Sequence, residues 1–495
     1  MSGALLLVTA LAPARVTAQE PDTVPARPDT LRADTLRADS AVAQDTVPPP
    51  PPPRLPPLHA PVPAGFATGV WVWDRDALLA EPYLSVNDLL DRIPGVITIR
   101  SGFHLQPEAA SAWGASGAGI EVVLDGYTMW GLEDPTFDLA RIELGTLESV
   151  RIERRAAGLR IVLHTVEAFS GEPYTRIEAS IGEPIAVNLF RGQFLTPHLG
   201  FGPFGAAVER LDVEGIGRGE PADMFSGWLK WGLTRERYGA QIEYRQQSLE
   251  RESGSPYAGK FARRDVIMRA RWIATDGLTL EAYGGHSSAE IKQADTTGDL
   301  ADVAIERDVI QLGTRAALQR GPLAVEAGFR FNNERRMPLT QLDARSWLQL
   351  GRIVGIGGEV RHASWRDGDA TTSFQLDGVV TPVPQLSLFA QLGGGTLGAP
   401  AWGDDERRII ESEHTTLRGG AQLRWRGIDI GGALLSVERD SLFGFRLPFD
   451  SAADPLAGDT HRGWELYGRV PLFRDILAVD GGITTWFDGI SGIYN

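Results

Sequence analysis

The stretch Leu323-Ala-Val-Glu-Ala-Gly-Phe-Arg-Phe-Asn332 decides how the chain is read. Leu323, Val325, Ala327, Phe329 and Phe331 alternate with Ala324, Glu326, Gly328, Arg330 and Asn332. Successive side chains of a β-strand point to opposite faces, so this is a strand with one apolar and one polar face. The same rhythm recurs from about Thr175 onward, in alternating stretches of ~10 residues separated by turn residues. Ile310, Leu312, Thr314, Ala316 and Leu318 interleave Gln311, Gly313, Arg315, Ala317 and Gln319. Leu417, Gly419, Ala421, Leu423 and Trp425 interleave Arg418, Gly420, Gln422, Arg424 and Arg426, and Ala240, Ile242 and Tyr244 interleave Gln241, Glu243 and Arg245.

A soluble sandwich also alternates, with its apolar side inward. Two features favour a transmembrane antiparallel β-barrel. The polar face is charged at mid-strand, which suits a wet lumen. The connections also alternate in length, as the short periplasmic turns and long external loops of outer-membrane barrels do. Short turns fall near Arg237-Tyr238, Asp276-Gly277, Gly321-Pro322, Gly351-Arg352, Pro382 to Pro384, Gly427 and Pro471 to Asp475, and long polar loops near 249–263, 288–307, 333–343, 395–413 and 439–461. Strands are expected at 175–183, 187–196, 204–214, 225–234, 238–248, 264–274, 278–287, 308–319, 322–332, 344–350, 354–365, 372–380, 385–393, 414–425, 428–438, 462–470 and 476–487. An antiparallel barrel closes with an even number of strands. A count of sixteen to seventeen that stops on the outer side, at Gly489 to Asn495, is expected for a C-terminally truncated copy of a larger barrel.

Composition narrows the classes further. A chain of 495 residues needs at least two domains. It has no cysteine, and its eight histidines form no HxxxH pair, so neither disulfides nor a metal or other cofactor site is expected. A net charge of −16 disfavours nucleic acid, while 57 glycines and 13 tryptophans suit tight strand packing and aromatic girdles. No later segment approaches the ~20 apolar residues of a spanning helix, which leaves a closed barrel as the membrane-crossing form. No nucleophile elbow of the G-x-S-x-G type is present, so no enzyme is expected.

Residues 1–18 are read as a signal peptide, with an apolar core from Ala4 to Ala12 and small residues Val16-Thr17-Ala18 before Gln19. No Lys or Arg precedes that core, so the true start is expected upstream of Met1. Residues 19–67 are expected to be a disordered, proline-rich periplasmic linker. They hold the near-repeat Asp29-Thr30-Leu31-Arg32-Ala33 and Asp34-Thr35-Leu36-Arg37-Ala38, and a proline run from Pro48 to Pro53. The segment is either a spacer or a docking segment for an inner-membrane partner.

Residues 68–167 break the alternation with a small α/β pattern, and the barrel takes 168–495. Val86 to Ile93 is expected to be a short amphipathic helix with Ser85 as N-cap, ended by Pro94-Gly95 and followed by a strand from Val96 to Arg100. A small-residue stretch runs from Ala109 to Gly119. Ile120 to Leu124 is a strand, Asp125-Gly126 a turn, and Leu147 to Glu153 a last strand. This domain resembles the plug of the TonB-dependent outer-membrane receptors. That family's plug shows a helix ending in LL…IPGV, a V.LDG hairpin and an L..V.RIEV strand. Leu89, Leu90, Pro94, Gly95 and Val96 match the first, Leu124, Asp125 and Gly126 the second, and Val150, Ile152 and Glu153 the third. The family's glycine-rich loop after the third piece is absent, because Arg154-Arg155-Ala156-Ala157-Gly158 leads directly to Leu159 through Thr165.

The resemblance implies a receptor of the bacterial outer membrane, in contact with outer-membrane lipid and with plug and linker on the periplasmic side. It would take up a scarce solute (chelate, glycan or peptide) with energy from a TonB-type periplasmic transducer. Asp45, Thr46 and Val47 are the candidate TonB box, with Asp22-Thr23-Val24 as a second choice. Phe103, His104 and Trp113 are candidate solute contacts at the plug apex, against a packing role for the same aromatics. A passive plugged pore and a surface-binding barrel without energised transport are the alternative readings. Size adds one more expectation. A compact plug of this length is ~32 Å across, and a sixteen-stranded barrel is also only ~32 Å across between backbones. The plug would then sit below the pore, lie flattened, or need the ~44 Å of about twenty-two strands.

Overall fold

A computed structural model of the chain describes residues 58, 61–80, 83–113, 119–132, 136–156, 158–167, 172–182, 187–200, 202–214, 221–252, 258–293, 304–366, 368–400, 409–442, 456–457, 460–472 and 477–487. The alternating stretches are strands. Among the described residues, seventeen of them, from Tyr174–Gly182 to Leu477–Trp486, hydrogen-bond in chain order and close into a barrel. The apolar face is the outer one. Leu312 is 53% exposed beside a fully buried Gln311, and Leu417 is 54% exposed beside Arg418 at 1%. Among the described residues no helix is long and apolar enough to cross a membrane.

The strands run further towards the long-loop end than alternation predicts. One begins at Gly259 rather than at 264, and another at Ile409 rather than at 414. Lys260 and the exposed Arg264 take outward positions there, so the backbone ladder continues beyond the apolar band that marks the strand in the sequence.

Before the barrel come β1 (Val70–Asp74), α1 (Arg75–Ala80), α2 (Asn87–Leu90), β2 (Val96–Arg100), β3 (Glu108–Ala112), β4 (Ile120–Leu124), β5 (Tyr127–Thr128), β6 (Leu147–Arg155) and β7 (Gly158–Thr165). Five of these strands form one sheet in the order β1-β6-β7-β4-β5, in which only β4 and β7 run parallel, while β2 and β3 pair separately. The two positive-φ residues Asp125 (48°) and Gly126 (92°) give the β4–β5 hairpin the twist such a tight turn needs. Leu89, Leu90, Leu124, Val150 and Ile152, all from the resemblance motifs, form the core.

Four expectations change. The small-residue stretch contains a strand, β3, because small side chains let it pack flat against β2 and the helix before it. The helix is a single turn and Ser85 does not cap it. Instead Asp88 Oδ2 accepts from the backbone N–H groups of Leu84 (2.8 Å) and Ser85 (3.1 Å). The barrel closes at an odd number. Consecutive strands are antiparallel throughout, so the first and last run in the same direction where they meet. Finally, the polar face does not enclose a wet lumen, and the plug is neither below the pore nor in need of twenty-two strands. It fills the interior, because plug and wall interpenetrate. A Cβ at Gly285 would sit 2.5 Å from the Tyr127 ring, and a Cβ at Gly431 or Gly393 would collide with Phe66 or Ala156. Side chains of wall and plug share one layer instead of forming two separate shells, so the plug fits within the smaller diameter.

Candidate functional site

Charged residues facing inward from the wall meet charged residues facing outward from the plug. Glu153 on β6 accepts from Arg151 (2.6 Å) and pairs with Arg345 of the wall (2.7 Å) and with Arg155 (3.2 Å). Burial alone would raise its pKa, but these guanidiniums hold it well below the usual carboxylate range. Asp125, at the hairpin tip, accepts from Thr165 Oγ1 (2.5 Å) and Arg269 (3.3 Å), with Lys230 Nζ at 3.7 Å. Lys230 and Arg269 likewise outweigh its burial and keep it ionised. Arg154 donates to Glu465 of the wall (2.7 Å), which also accepts from Arg418 (2.9 Å). The motif residues therefore divide by chemistry. The apolar ones build the plug core, and Asp125 and Glu153 fix the plug to the wall.

At the long-loop end a narrow cleft, with free room of about 90 Å³, opens between Ile120 to Val122, Thr128 to Gly131 and Phe137 of the plug and the strands Thr340–Leu350, Val354–Ser364, Ala370–Val383 and Leu386–Pro400. Trp130, Phe137 and Trp365 supply aromatic surface, and Glu121, Arg336 and Arg361 supply charge. Glu121 binds Arg330 (2.7 Å) and Arg361, and Asp343 accepts from Arg361 Nε (3.0 Å). These arginines hold Glu121 well below its ordinary pKa against burial. Trp130 Nε1 donates to Gln311 (3.0 Å). Trp365 is 5% exposed, and its Nε1 has no hydrogen-bond partner among the described residues.

The residues singled out from sequence lie elsewhere. Phe103 and His104 are half-buried and meet edge-on, with ring centroids 4.5 Å apart at 66°. Phe103 packs on an apolar layer formed by Leu105 and Leu132 of the plug with Val213, Met224 and Phe261 of the wall. Neither residue lines the cleft. Trp113 is 3% exposed. Its Nε1 donates to Glu465 (2.7 Å), its ring lies 4.1 Å under the Arg154 guanidinium, and Trp71 stacks on it at 6.4 Å. It packs the seam between plug and wall. The cleft aromatics were missed because Trp130 directly follows the LDG hairpin and Trp365 ends a strand at a loop, positions that read as hairpin and girdle. Asp45, Thr46 and Val47 lie outside the described residues.

Residues 65–161 match the family model of the TonB-dependent receptor plug domain. These residues form a plug domain of the TonB-dependent receptor type, enclosed by the barrel. Solved structures with this fold include the siderophore receptor PirA from Acinetobacter baumannii, at 10% identity and TM-score 0.67 over 86% of this chain and 80% of that one. The copper transporter OprC matches at 14% identity and TM-score 0.66, over 83% and 77%. The ferric enterobactin receptor PfeA from Pseudomonas aeruginosa matches at 11% identity and TM-score 0.63, over 82% and 79%. At such identities the likeness is one of fold. A search of curated protein sequences finds no match. In this chain Arg155 at the end of β6 pairs with Gly158 at the start of β7, so no glycine-rich loop separates the two strands.

Proposed function

We propose that this receptor sits in a bacterial outer membrane with its long loops outside, and that it captures a scarce chelate in the cleft beside the plug. Energy from a TonB-type transducer of the inner membrane, engaged through the linker 19–67 and the segment Asp45-Thr46-Val47, then moves the solute inward. The cleft carries this reading. Two indoles and a phenyl ring offer stacking faces, Arg361 and Arg336 offer cationic donors, and Trp365 holds an unused N–H. That set suits an anionic, aromatic-bearing chelate better than a neutral glycan. Relatives of the same fold that handle siderophores, ferric enterobactin and copper support the same class.

Deleting residues 20–63 tests the coupling. Accumulation of labelled chelate in cells should collapse while binding to the cell surface persists. If accumulation persists, the passive plugged pore is the better reading, which the direct Arg155–Gly158 pairing between β6 and β7 supports. Trp365→Phe tests the cleft. Loss of the single donor should weaken chelate binding about tenfold, the cost of one hydrogen bond to a charged acceptor. Unchanged affinity would place the solute elsewhere.

A further inference from the structure

The cleft floor holds a group of charges that spans plug and wall. Arg330, Asp343 and Arg361 stand on three consecutive strands of the wall, Leu323–Asn332, Thr340–Leu350 and Val354–Ser364. Arg361 Nε donates to Asp343 Oδ1 at 3.0 Å, and Arg330 Nη2 lies 3.4 Å from Asp343 Oδ2. Two guanidiniums and one carboxylate leave this trio one negative charge short. Glu121, on β4 of the plug, supplies it. Its Oε1 accepts from Arg330 Nη2 at 2.7 Å, and its Oε2 accepts from Arg361 Nη2. Each oxygen of one planar carboxylate thus meets a different guanidinium, an arrangement that a second carboxylate can reproduce. Glu121 and Arg361 both line the cleft, and Arg361 keeps 20% of its side chain accessible. The group can therefore be reached from the long-loop end.

Glu121 also has a second partner at hand. Its neighbour across the plug sheet is Arg160 on β7. Arg160 Nε is 3.5 Å from Glu121 Oε2 and has no hydrogen-bond partner among the described residues. A turn of one side chain, with the backbone of β4 unmoved, would pass Glu121 from the wall arginines to Arg160. The charged tie of β4 to the wall would then rest on its other end, where Asp125 meets Lys230 and Arg269.

We infer that Glu121 holds the place of a solute carboxylate, and that a carboxylate-bearing chelate binds by displacing it from Arg330 and Arg361. The inference rests on the cleft as the solute site and names the group recognised there. Charge balance is kept, because one carboxylate leaves as another arrives. Free room of about 90 Å³ admits one such group, so the rest of the solute stays towards the long-loop end. The exchange also couples solute to plug. With the plug in place a carboxylate must compete with Glu121 for the arginines, and with the plug drawn away it does not. By linkage the solute then weakens the hold of wall on plug, the reverse of what an ordinary ligand of the native state does.

Oxalate, a small dicarboxylate, is the probe, with the full chain in lipid nanodiscs and chloride at matched ionic strength as the control. Glu121→Gln keeps the shape of the side chain and removes the competitor. It should bind oxalate about tenfold more tightly than the unsubstituted protein, the worth of one hydrogen bond between charged groups. Arg361→Gln should bind it more weakly than either. Oxalate should also lower the urea midpoint for release of the plug in the unsubstituted protein and leave that of Glu121→Gln unchanged. A Glu121 with a purely structural part would give equal or weaker binding in Glu121→Gln, and a midpoint that oxalate raises or leaves alone. Either result, or no oxalate binding to any variant, would overturn the inference. Neither measurement involves uptake or Trp365, so failure here leaves the uptake reading to its own tests.

Discussion

Glu108 and Glu153 are both buried plug carboxylates, and their surroundings send them opposite ways. Glu153 has three guanidiniums and stays ionised. Glu108, on β3, has the Ser85 hydroxyl and one guanidinium, Arg100 with Nε at 3.6 Å, against the carboxylates of Asp138 and Asp88, and burial pushes its pKa up to about 7. The sign follows from linkage. Below the unfolded pKa near 4.5 both states hold the proton, so the contribution of Glu108 to stability is complete there. It is lost as the pH rises through about 7 and the native carboxyl must ionise in place. Glu108→Gln keeps a neutral group at every pH. The variant should therefore gain on the unsubstituted protein between pH 5 and pH 8, by at most about 3 kcal/mol. Urea midpoints for release of the plug at the two pH values measure this, and an equal difference at both would refute it.

The elements of the plug depend on what the wall leaves out. Gly285 lies under Tyr127, whose hydroxyl shares a hydrogen bond with Ser287 (2.9 Å) and whose ring meets Tyr283 edge-on at 6.5 Å. Gly285→Val would drive a branched side chain into that ring, at an overpacking cost of about 1–3 kcal/mol. Gly468→Val, with open space at its Cβ position, should cost little. Protease susceptibility of the plug in the intact barrel should rise in the first variant and not in the second. The same interface marks the limit of what the sequence reveals. The barrel strands are legible because most present a two-residue period over the apolar band, as Leu323–Asn332 does. The β4–β5 hairpin is legible because Asp125-Gly126 is a turn pair. The strand β3 is not, since Glu108 to Ala112 has no large residue to set a period. The cleft is not legible either. Ile120, Trp130, Arg361 and Trp365 come from segments over two hundred residues apart, and only closure of the barrel brings them together. Trp113 and His104 stood out as aromatics in a small-residue loop, but contacts from other strands decide what each one does.

At the scale of the whole molecule, the inside-out distribution of side chains makes a claim that solvent exposure alone would get wrong. Leu434 is 66% exposed, midway along Ile428–Arg439, while its neighbours Ala433 and Leu435 are 6% and 4% exposed and face the plug. In a soluble sandwich an exposed leucine is an ordinary surface residue, and Leu434→Arg would change stability by little. In a barrel held in lipid the same side chain lies in hydrocarbon, where an arginine at mid-depth costs about 2–4 kcal/mol. The cost should shrink for Leu472→Arg at the short-turn end of its strand, where the side chain can reach the interface. Folding into phospholipid vesicles across a urea series separates the two cases. A large loss at Leu434 with a small one at Leu472 is the depth dependence that a membrane imposes. Equal, negligible losses would mean that the apolar outer face meets water or another protein instead of lipid.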